Sequence, residues 1–364
     1  MADLPARPDL GQLDHQARDL LGAAQRGDPD AVARISAVSG RLILSSAQLA
    51  LAREYGFASW ARLNLEVERR DILNSRDLSR LARLLAEHPE LATAKMEHWC
   101  DHKSAGPVSY MAMLRFDHAR LGLPAELPGT GAVARALIDA GAPVDGYPGD
   151  SETPLITAAS YGDAEVARVL IDAGADIDAI SGPDSGGVPS GTAVDHAAVF
   201  GMTEVLDVLV AAGVRISSLE MAAAAGDITG WPLARFTLQS RIRALVFAAD
   251  HQRLDVIDHL VEARTPVNEA DAEWGRLPLH TAAGNGRPAS VRRLLAHGAD
   301  PSLRDPKHNT TPLEESQREN SPGHREVEAI LRPLTHNGGV PPRQAATEAG
   351  QREQREEPGV EQPQ

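Results

Sequence analysis

The ten residues Leu137–Gly146, LIDAGAPVDG, come back almost unchanged 33 residues later as Leu170–Ala179, LIDAGADIDA. A weaker third copy stands at Leu294–Pro301, LLAHGADP. Self-similarity at this period constrains the fold more than composition does. A unit of that size cannot bury its apolar face alone, so successive units stack along one axis into a solenoid. A chain of 364 residues would otherwise suggest about two or three domains; an array grows by adding units and removes that expectation. Apolar residues make up 42% but aromatics only 4%. The core is therefore rich in Ala and Leu and thinly layered, which suits short packed helices and gives an all-α reading.

The grammar of one unit is plain from Asp150 onward. Thr153-Pro154-Leu155 opens a helix, because Thr can cap it and Pro fits a first turn whose N–H would be unpaired anyway. Ala158-Ala159 are small enough for neighbouring helices to approach closely. Gly162-Asp163 break the chain before a second helix, Ala164–Ala173, with Val166, Val169, Leu170 and Ile171 on its buried face. Gly174 ends that helix in the left-handed conformation that Gly adopts without steric cost. Asp176–Ile180 then lead outward into a hairpin.

This unit resembles the ankyrin repeat. The family's T-P-L-H…A-A…G…V…L-L…G-A-D pattern is met at nearly every position of Thr153–Asp176, with Ile156 in place of His. A second unit, Gly191–Ser217, has Ala197-Ala198, Gly201, Val205, Leu209 and Gly213, but its opening has lost the Pro. A third, Gly275–Asp305, keeps Leu277-Pro278-Leu279-His280, Ala282-Ala283, Gly286, Leu294-Leu295 and Gly298-Ala299-Asp300. The last runs from Thr311-Pro312-Leu313 to Leu334 and is charged outside, as a terminal cap should be. The resemblance implies a solenoid of helix-turn-helix units joined by hairpin loops, about seven or eight helix pairs in all.

Two units are irregular. Ser240–Asp271 reads as a repeat, but Arg264 stands where Gly is expected. A non-Gly residue in the left-handed region costs ~1–2 kcal/mol, so this helix is expected to end differently. Leu219–Asp227 looks like a lone first helix followed by an insert through Trp231-Pro232. Upstream, Ser104–Gly146 is a unit whose helices are separated by the Pro/Gly loop Gly122–Gly131. The first hundred residues suggest helices within Ala17–Ile35, Ser45–Val67 and Asp77–Glu87, broken at Gly27-Asp28-Pro29, Gly56 and His88-Pro89. Ala47–Val67 is similar to the helical opening of a group of bacterial ankyrin-repeat proteins. Scarce Lys beside abundant Arg and Ala also fits a GC-rich bacterial genome. The expected organisation is a degenerate helical region over 1–103, the repeat domain over 104–334, and a disordered tail over 335–364, which is rich in Gly, Pro, Gln and Glu.

Net charge is −15 and the pI about 5.3, which argues against binding polyanions such as nucleic acid or anionic lipid. The single cysteine, Cys100, cannot form an internal disulfide. The N-terminus lacks an apolar core of signal-peptide length, and no run approaches the ~18 apolar residues of a membrane span. A cytoplasmic location is expected.

Motifs that could carry chemistry all have plainer readings. Gly129-Thr130-Gly131-Ala132-Val133-Ala134 matches a dinucleotide-binding G-x-G-x-x-A, but no buried strand precedes it, so no cofactor is expected. His98, Cys100, His102 and His118 match no familiar zinc spacing, and no metal is expected. Asp195-His196 beside Ser190 evokes a hydrolase, yet Asp195 stands at the turn position where a structural role is favoured. No Walker lysine, H-E-x-x-H or G-x-S-x-G is present, and the chain is expected to be non-enzymatic.

Partner contacts in the ankyrin family come mostly from hairpin tips and from the two positions after Ala-Ala on the first helix. The resemblance carries these onto Ser160 and Tyr161, Val199 and Phe200, Asp250 and His251, and Gly284 and Asn285. The matching tip positions are Ser151, Glu152, Trp274 and Arg276. Tyr161, Phe200 and Trp274 are the aromatic candidates, since large rings facing solvent are common interface anchors; the plainer reading packs them onto the neighbouring unit. The Gly-, Pro- and Ser-rich stretch Ile180–Thr192 is read as a tolerated insertion, with a flexible finger over a ligand as the other possibility. The expected function is a protein-binding module recognising a protein partner that carries a basic patch. One alternative is a dedicated inhibitor or regulator of a single enzyme or toxin. Another is an enzyme or small-molecule binder with residues in 91–130 and 219–240.

Overall fold

The computed structural model describes residues 4–97 and 104–335. His98, Cys100, His102 and the 336–364 part of the tail lie outside the described residues. The chain opens with five helices: α1 (Leu10–Gln25), α2 (Pro29–Ser36), α3 (Leu44–Glu54), α4 (Trp60–Ser75) and α5 (Leu78–Glu87). Two short antiparallel strands follow, β1 (Met96–Glu97) and β2 (Ser104–Ala105), with Met96 opposite Ala105.

Among the described residues, six helix pairs and one unpaired helix make up the array. They are α6 (Pro107–Asp117) with α7 (Thr130–Asp139), α8 (Pro154–Tyr161) with α9 (Ala164–Asp172), and α10 (Ala193–Val199) with α11 (Thr203–Ala211). The lone α12 (Leu219–Ala225) comes next. Then follow α13 (Leu238–Asp250) with α14 (Leu254–Glu262), α15 (Pro278–Gly284) with α16 (Pro288–Ala296), and α17 (Pro312–Ser316) with α18 (Pro322–Leu331). First helices pack in one layer, α6–α8–α10–α12–α13–α15–α17. Second helices form the other layer in two runs, α7–α9–α11 and α14–α16–α18.

Local chemistry places the helix ends. Thr153 caps α8 by accepting from the Ile156 N–H at 3.3 Å, with Pro154 in the first turn. Asp163 caps α9 through the Val166 N–H at 3.0 Å. Asp195, placed at the turn by the sequence, accepts from both the Thr192 N–H (2.9 Å) and Oγ1 (2.7 Å) and completes a capping box on α10. Gly174 follows α9 at φ 86°. Arg264 corrects the expectation of a different helix end: it follows α14 at φ 64°, in the same left-handed conformation as the glycines it replaces.

One continuous core runs from Ile72 and Leu73 of α4 through α5 and the first three pairs. A second joins α12 to α18. Smaller clusters hold α1–α4, built on Leu13, Ala17, Leu51, Phe57 and Leu63 and on Leu20, Ala31, Ile35 and Ala47. The core side of the array is rich in Ala and Leu, and the small Ala residues let neighbouring helices sit close. Among the described residues no helix is long and apolar enough to cross a membrane.

Candidate functional site: the ends of the first helices and the hairpin tips

The first helices end side by side along one edge of the array, and the side chains at those ends fall into two groups. At the α6–α8–α10 end they are aromatic. Phe116, near the end of α6, lies against Tyr161 at the end of α8, with ring centroids 4.7 Å apart and planes tilted by 34°. Phe116 is 46% exposed and Phe200, just past α10, 38% exposed, while Tyr161 is half-buried. Burial, together with the nearby Glu152 and Asp117 carboxylates, pushes the Tyr161 phenol up to about 12. Val199 is half-buried and packs against the core.

Glu152, on the tip before α8, is tied into this group. Its carboxylate accepts from Ser185 Oγ at 2.5 Å and lies 3.4 Å from Thr157 Oγ1, whose one proton is shared with Thr153 O at 3.1 Å. The stretch Ile180–Thr192 closes over the α8–α10 junction through these and neighbouring bonds. Gly182 N–H donates to Ser151 O at 2.6 Å, and Ser181 Oγ donates to Val188 O at 2.7 Å. Gly187 rests on Phe200, where a Cβ would come within 2.8 Å of the ring. Beneath it, His196 is fully buried, with Nδ1 2.8 Å from Ser160 Oγ and Nε2 3.1 Å from Val188 O. Burial pulls the His196 imidazole below its usual range.

At the α13–α15 end the expected contact residues are internal. Asp250 and His251 are 3% and 1% exposed, and Ser160 at α8 is 8% exposed. These three are corrected from surface contacts to packing groups, because the helix ends that carry them face the next unit and not solvent. His251 Nε2 lies 2.9 Å from Ala198 O, and its Nδ1 lies 3.0 Å from Thr203 Oγ1. Asp250 accepts from Asn285 Nδ2 at 2.7 Å and faces the Arg287 guanidinium at 3.7 Å. Arg287 also donates to Gly201 O at 2.6 Å. These groups staple α10, α13 and α15 across the short α12, which has no second helix of its own. Arg253 reinforces the same gap, donating to Ala224 O at 2.7 Å and to Asp207 at 2.5 Å. Asn285 is exposed, but its amide is committed to Asp250.

Trp274, on the tip before α15, is half-buried. Its ring lies 5.9 Å from Phe247, with the guanidinium of Arg243 at 5.5 Å and that of Arg276 at 5.1 Å. Arg243 pairs with Glu273 at 2.5 Å. Two cations therefore already hold the indole.

Charge is divided in the same way. Residues 104–230 carry 17 Asp and Glu against 5 Lys and Arg, a net of −12 within the chain's −15, whereas 231–335 carry 14 of each. The aromatic group lies in the acidic half and Trp274 in the balanced one.

The glycine-rich start of α7 is filled from within: Gly129 and Gly131 N–H groups donate to the Glu165 carboxylate at 2.9 and 3.2 Å. A Cβ at Gly131 would meet Glu165 O at 2.9 Å, so close helix packing explains this glycine. His118 Nδ1 lies 2.7 Å from Arg115 O. One group, Asp305, His308 and Glu315, has ligand-type atoms within 4.8 Å of one another. Asp305 there accepts from the Lys307 and His308 N–H groups at 2.6 and 2.7 Å, the bonds of a tight hairpin turn. Among the described residues, a cavity of about 360 Å³ is lined by Ile177, Asp178, Val194, Asp195, Val214 and Arg215, against the start of α10.

Phe116 was not among the sequence candidates. Counting two positions past an Ala-Ala pair fails for α6, which has none and runs 11 residues against eight for α8. The extra turn carries Phe116 to the place where it meets Tyr161.

Such a stack presents a row of helix ends and tips on a preformed frame, which defines an interaction scaffold. The model of ankyrin repeats (three copies) matches residues 125–220 and 232–332, more than half the chain, and the protein belongs to the ankyrin-repeat family. It is 39% identical over 87 residues to the E3 ubiquitin-protein ligase Ufd4 of Drosophila melanogaster, covering 24% of this chain and 3% of that protein. It is 40% identical over 69 residues to the human 2-5A-dependent ribonuclease, covering 19% of this chain and 9% of that one. The chain thus matches only a small part of the length of these curated relatives. Among solved structures, the human ASB11 ankyrin repeat domain aligns with a TM-score of 0.37 at 19% identity, over 74% of this chain and 99% of that one. The ankyrin repeat domain of Bcl-3 aligns with a TM-score of 0.33 at 22% identity, over 73% and 97%.

Proposed function

We propose that the protein is a non-enzymatic binding module that recognises a protein partner through the acidic half of its array, at the first-helix ends and hairpin tips around Glu152, Tyr161, Val199 and Phe200. The observation that carries this reading is the coincidence of exposed aromatic rings with most of the net charge. Exposed rings supply contact area at little entropic cost, and a negative field speeds encounter with a basic surface. The frame is built before binding, so little ordering entropy is lost. Trp274 and Arg276, held within their own cation–π stack, are secondary positions in this reading.

The test is affinity capture from a lysate of the source organism, with the wild type beside a folded Tyr161→Ala/Phe200→Ala/Trp274→Ala variant. A protein held by the wild type and released by the variant is the expected result. A captured protein retained equally by both would place its site elsewhere. With the partner in hand, association should slow as salt rises, because attraction between exposed charges is screened over about 8–10 Å at moderate ionic strength. A rate that does not change with salt would remove the electrostatic part of the reading.

A further inference from the structure

The Phe116–Tyr161 pair and Glu152 come together at the α6–α8 end of the array. Neighbouring carboxylates already have cations: Asp117 meets Arg120 at 3.0 Å, Asp150 meets Lys95 at 2.6 Å, and Asp163 meets Arg115 at 3.2 Å. Glu152 has only the hydroxyls of Ser185 and Thr157, and no Lys or Arg pairs with it among the described residues. An ionised carboxylate offers about four acceptor positions, so each oxygen keeps one free. Thr157 lies one helical turn before Tyr161 on α8, and side chains four apart share a face, with the later one leaning back over the earlier. The carboxylate held by Thr157 is thus beside the ring of Tyr161, and Phe116 extends that ring surface toward solvent.

We propose that Phe116, Tyr161 and Glu152 form a receptor for an arginine side chain of the partner, the guanidinium lying against the two rings and donating to the Glu152 carboxylate. This rests on the acidic half being the partner surface. Three properties of the site favour arginine. A planar, weakly hydrated guanidinium stacks on aromatic faces while its edge N–H groups reach a carboxylate, which a compact ammonium does less well. The pairing is charge-assisted, and hence stronger than a bond between neutral groups. The surrounding repeats carry a net of −12 with few competing cations. The Trp274 tip provides an internal precedent, since Arg243 and Arg276 lie over an indole there beside Glu273.

The site can be probed without knowing the partner. The full chain labelled with 3-fluorotyrosine gives four fluorine resonances, from Tyr55, Tyr110, Tyr147 and Tyr161, and Tyr161→Phe assigns the last. The probes are acetyl-Gly-Arg-Gly-amide, its citrulline analogue, which has the same shape without the charge, and its lysine analogue. The arginine peptide should shift the Tyr161 resonance saturably, with the citrulline and lysine peptides weaker. Glu152→Gln should weaken binding about tenfold, and Phe116→Ala about two- to fivefold. Phe116→Leu serves where the alanine variant is not folded.

A missing or unsaturable shift, equal binding of citrulline, or an unaffected Glu152→Gln would overturn the receptor. Equal binding of lysine would overturn its preference for guanidinium. Failure here is separable from failure of the functional reading. If a captured partner is lost by the triple variant yet indifferent to Glu152→Gln and Phe116→Ala, the module stands and the arginine receptor falls. If the arginine peptide binds as described and no captured protein depends on the aromatic face, the receptor stands and the module reading falls.

Discussion

Arg264 occupies, at φ 64°, the position that Gly174 holds at φ 86° two pairs earlier. Its side chain is exposed, so its mutation should report the backbone alone. Arg264→Gly should raise the unfolding free energy by about 1 kcal/mol, read from the denaturant midpoint at unchanged slope; an unmoved midpoint would mean that the unit is unstrained. His251 is the opposite kind of residue, fully buried and bonded to Ala198 O and Thr203 Oγ1 across the α12 gap. His251→Ala leaves a cavity and two unpaired groups, and should destabilise by about 2–4 kcal/mol. A loss below about 0.5 kcal/mol would show that the staple does not hold the units together.

At the level of elements, a second helix supports the second helix of the neighbouring unit as well as its own first helix. The clearest instance is Glu165 at the start of α9, whose carboxylate accepts the Gly129 and Gly131 N–H groups at the start of α7. A helix start leaves N–H groups unpaired and carries partial positive charge, so an acceptor there is stabilising. Glu165→Ala should cost about 1–2 kcal/mol. Hydrogen exchange should quicken first at the α7 start; uniform quickening would argue against so local a role. Ile180–Thr192 behaves as an element of its own, folded down by Glu152, Ser181 and His196. Its composition reads as tolerance to insertion, while its contacts make it part of the α8–α10 surface.

For the whole molecule, three buried imidazoles, His196, His251 and His280, link one unit to the next or to its hairpin. Burial lowers each below its usual range. In the unfolded chain a histidine titrates near about 6.5, so below that pH the unfolded state binds more protons than the folded one. The stability they provide is fully present above about 6.5, is lost as pH falls toward their lowered folded values, and levels off beneath them. Denaturant midpoints measured from about pH 7.5 to 5.5 should therefore decline on acidification. A flat profile would mean that these rings titrate as free histidines. Because the units are coupled through such junctions, the loss is expected to be cooperative across the array.

The repeat, its period and most helix ends are legible in the residues alone, because these follow from local rules. A Thr or Asp caps, a Pro opens, a Gly closes, and apolar residues at helical spacing must face inward, as Thr153, Asp163 and Gly174 illustrate. The sequence also exposed the irregular unit at Leu219 and the odd residue at Arg264, although not the conformation Arg264 adopts. Which side chains at equivalent positions reach solvent depends instead on how the units pack. Tyr161 and His251 both stand two places past an Ala-Ala pair, yet one lies on an aromatic surface and the other inside a staple. The difference arises because α12 lacks a second helix, and His251 fills the gap by bonding across it to Ala198 O and Thr203 Oγ1. Phe116 was invisible for a related reason. Its place depends on the extra turn of α6 and on where α8 lies beside it, and a pairing between residues 45 positions apart is set by packing rather than by local sequence.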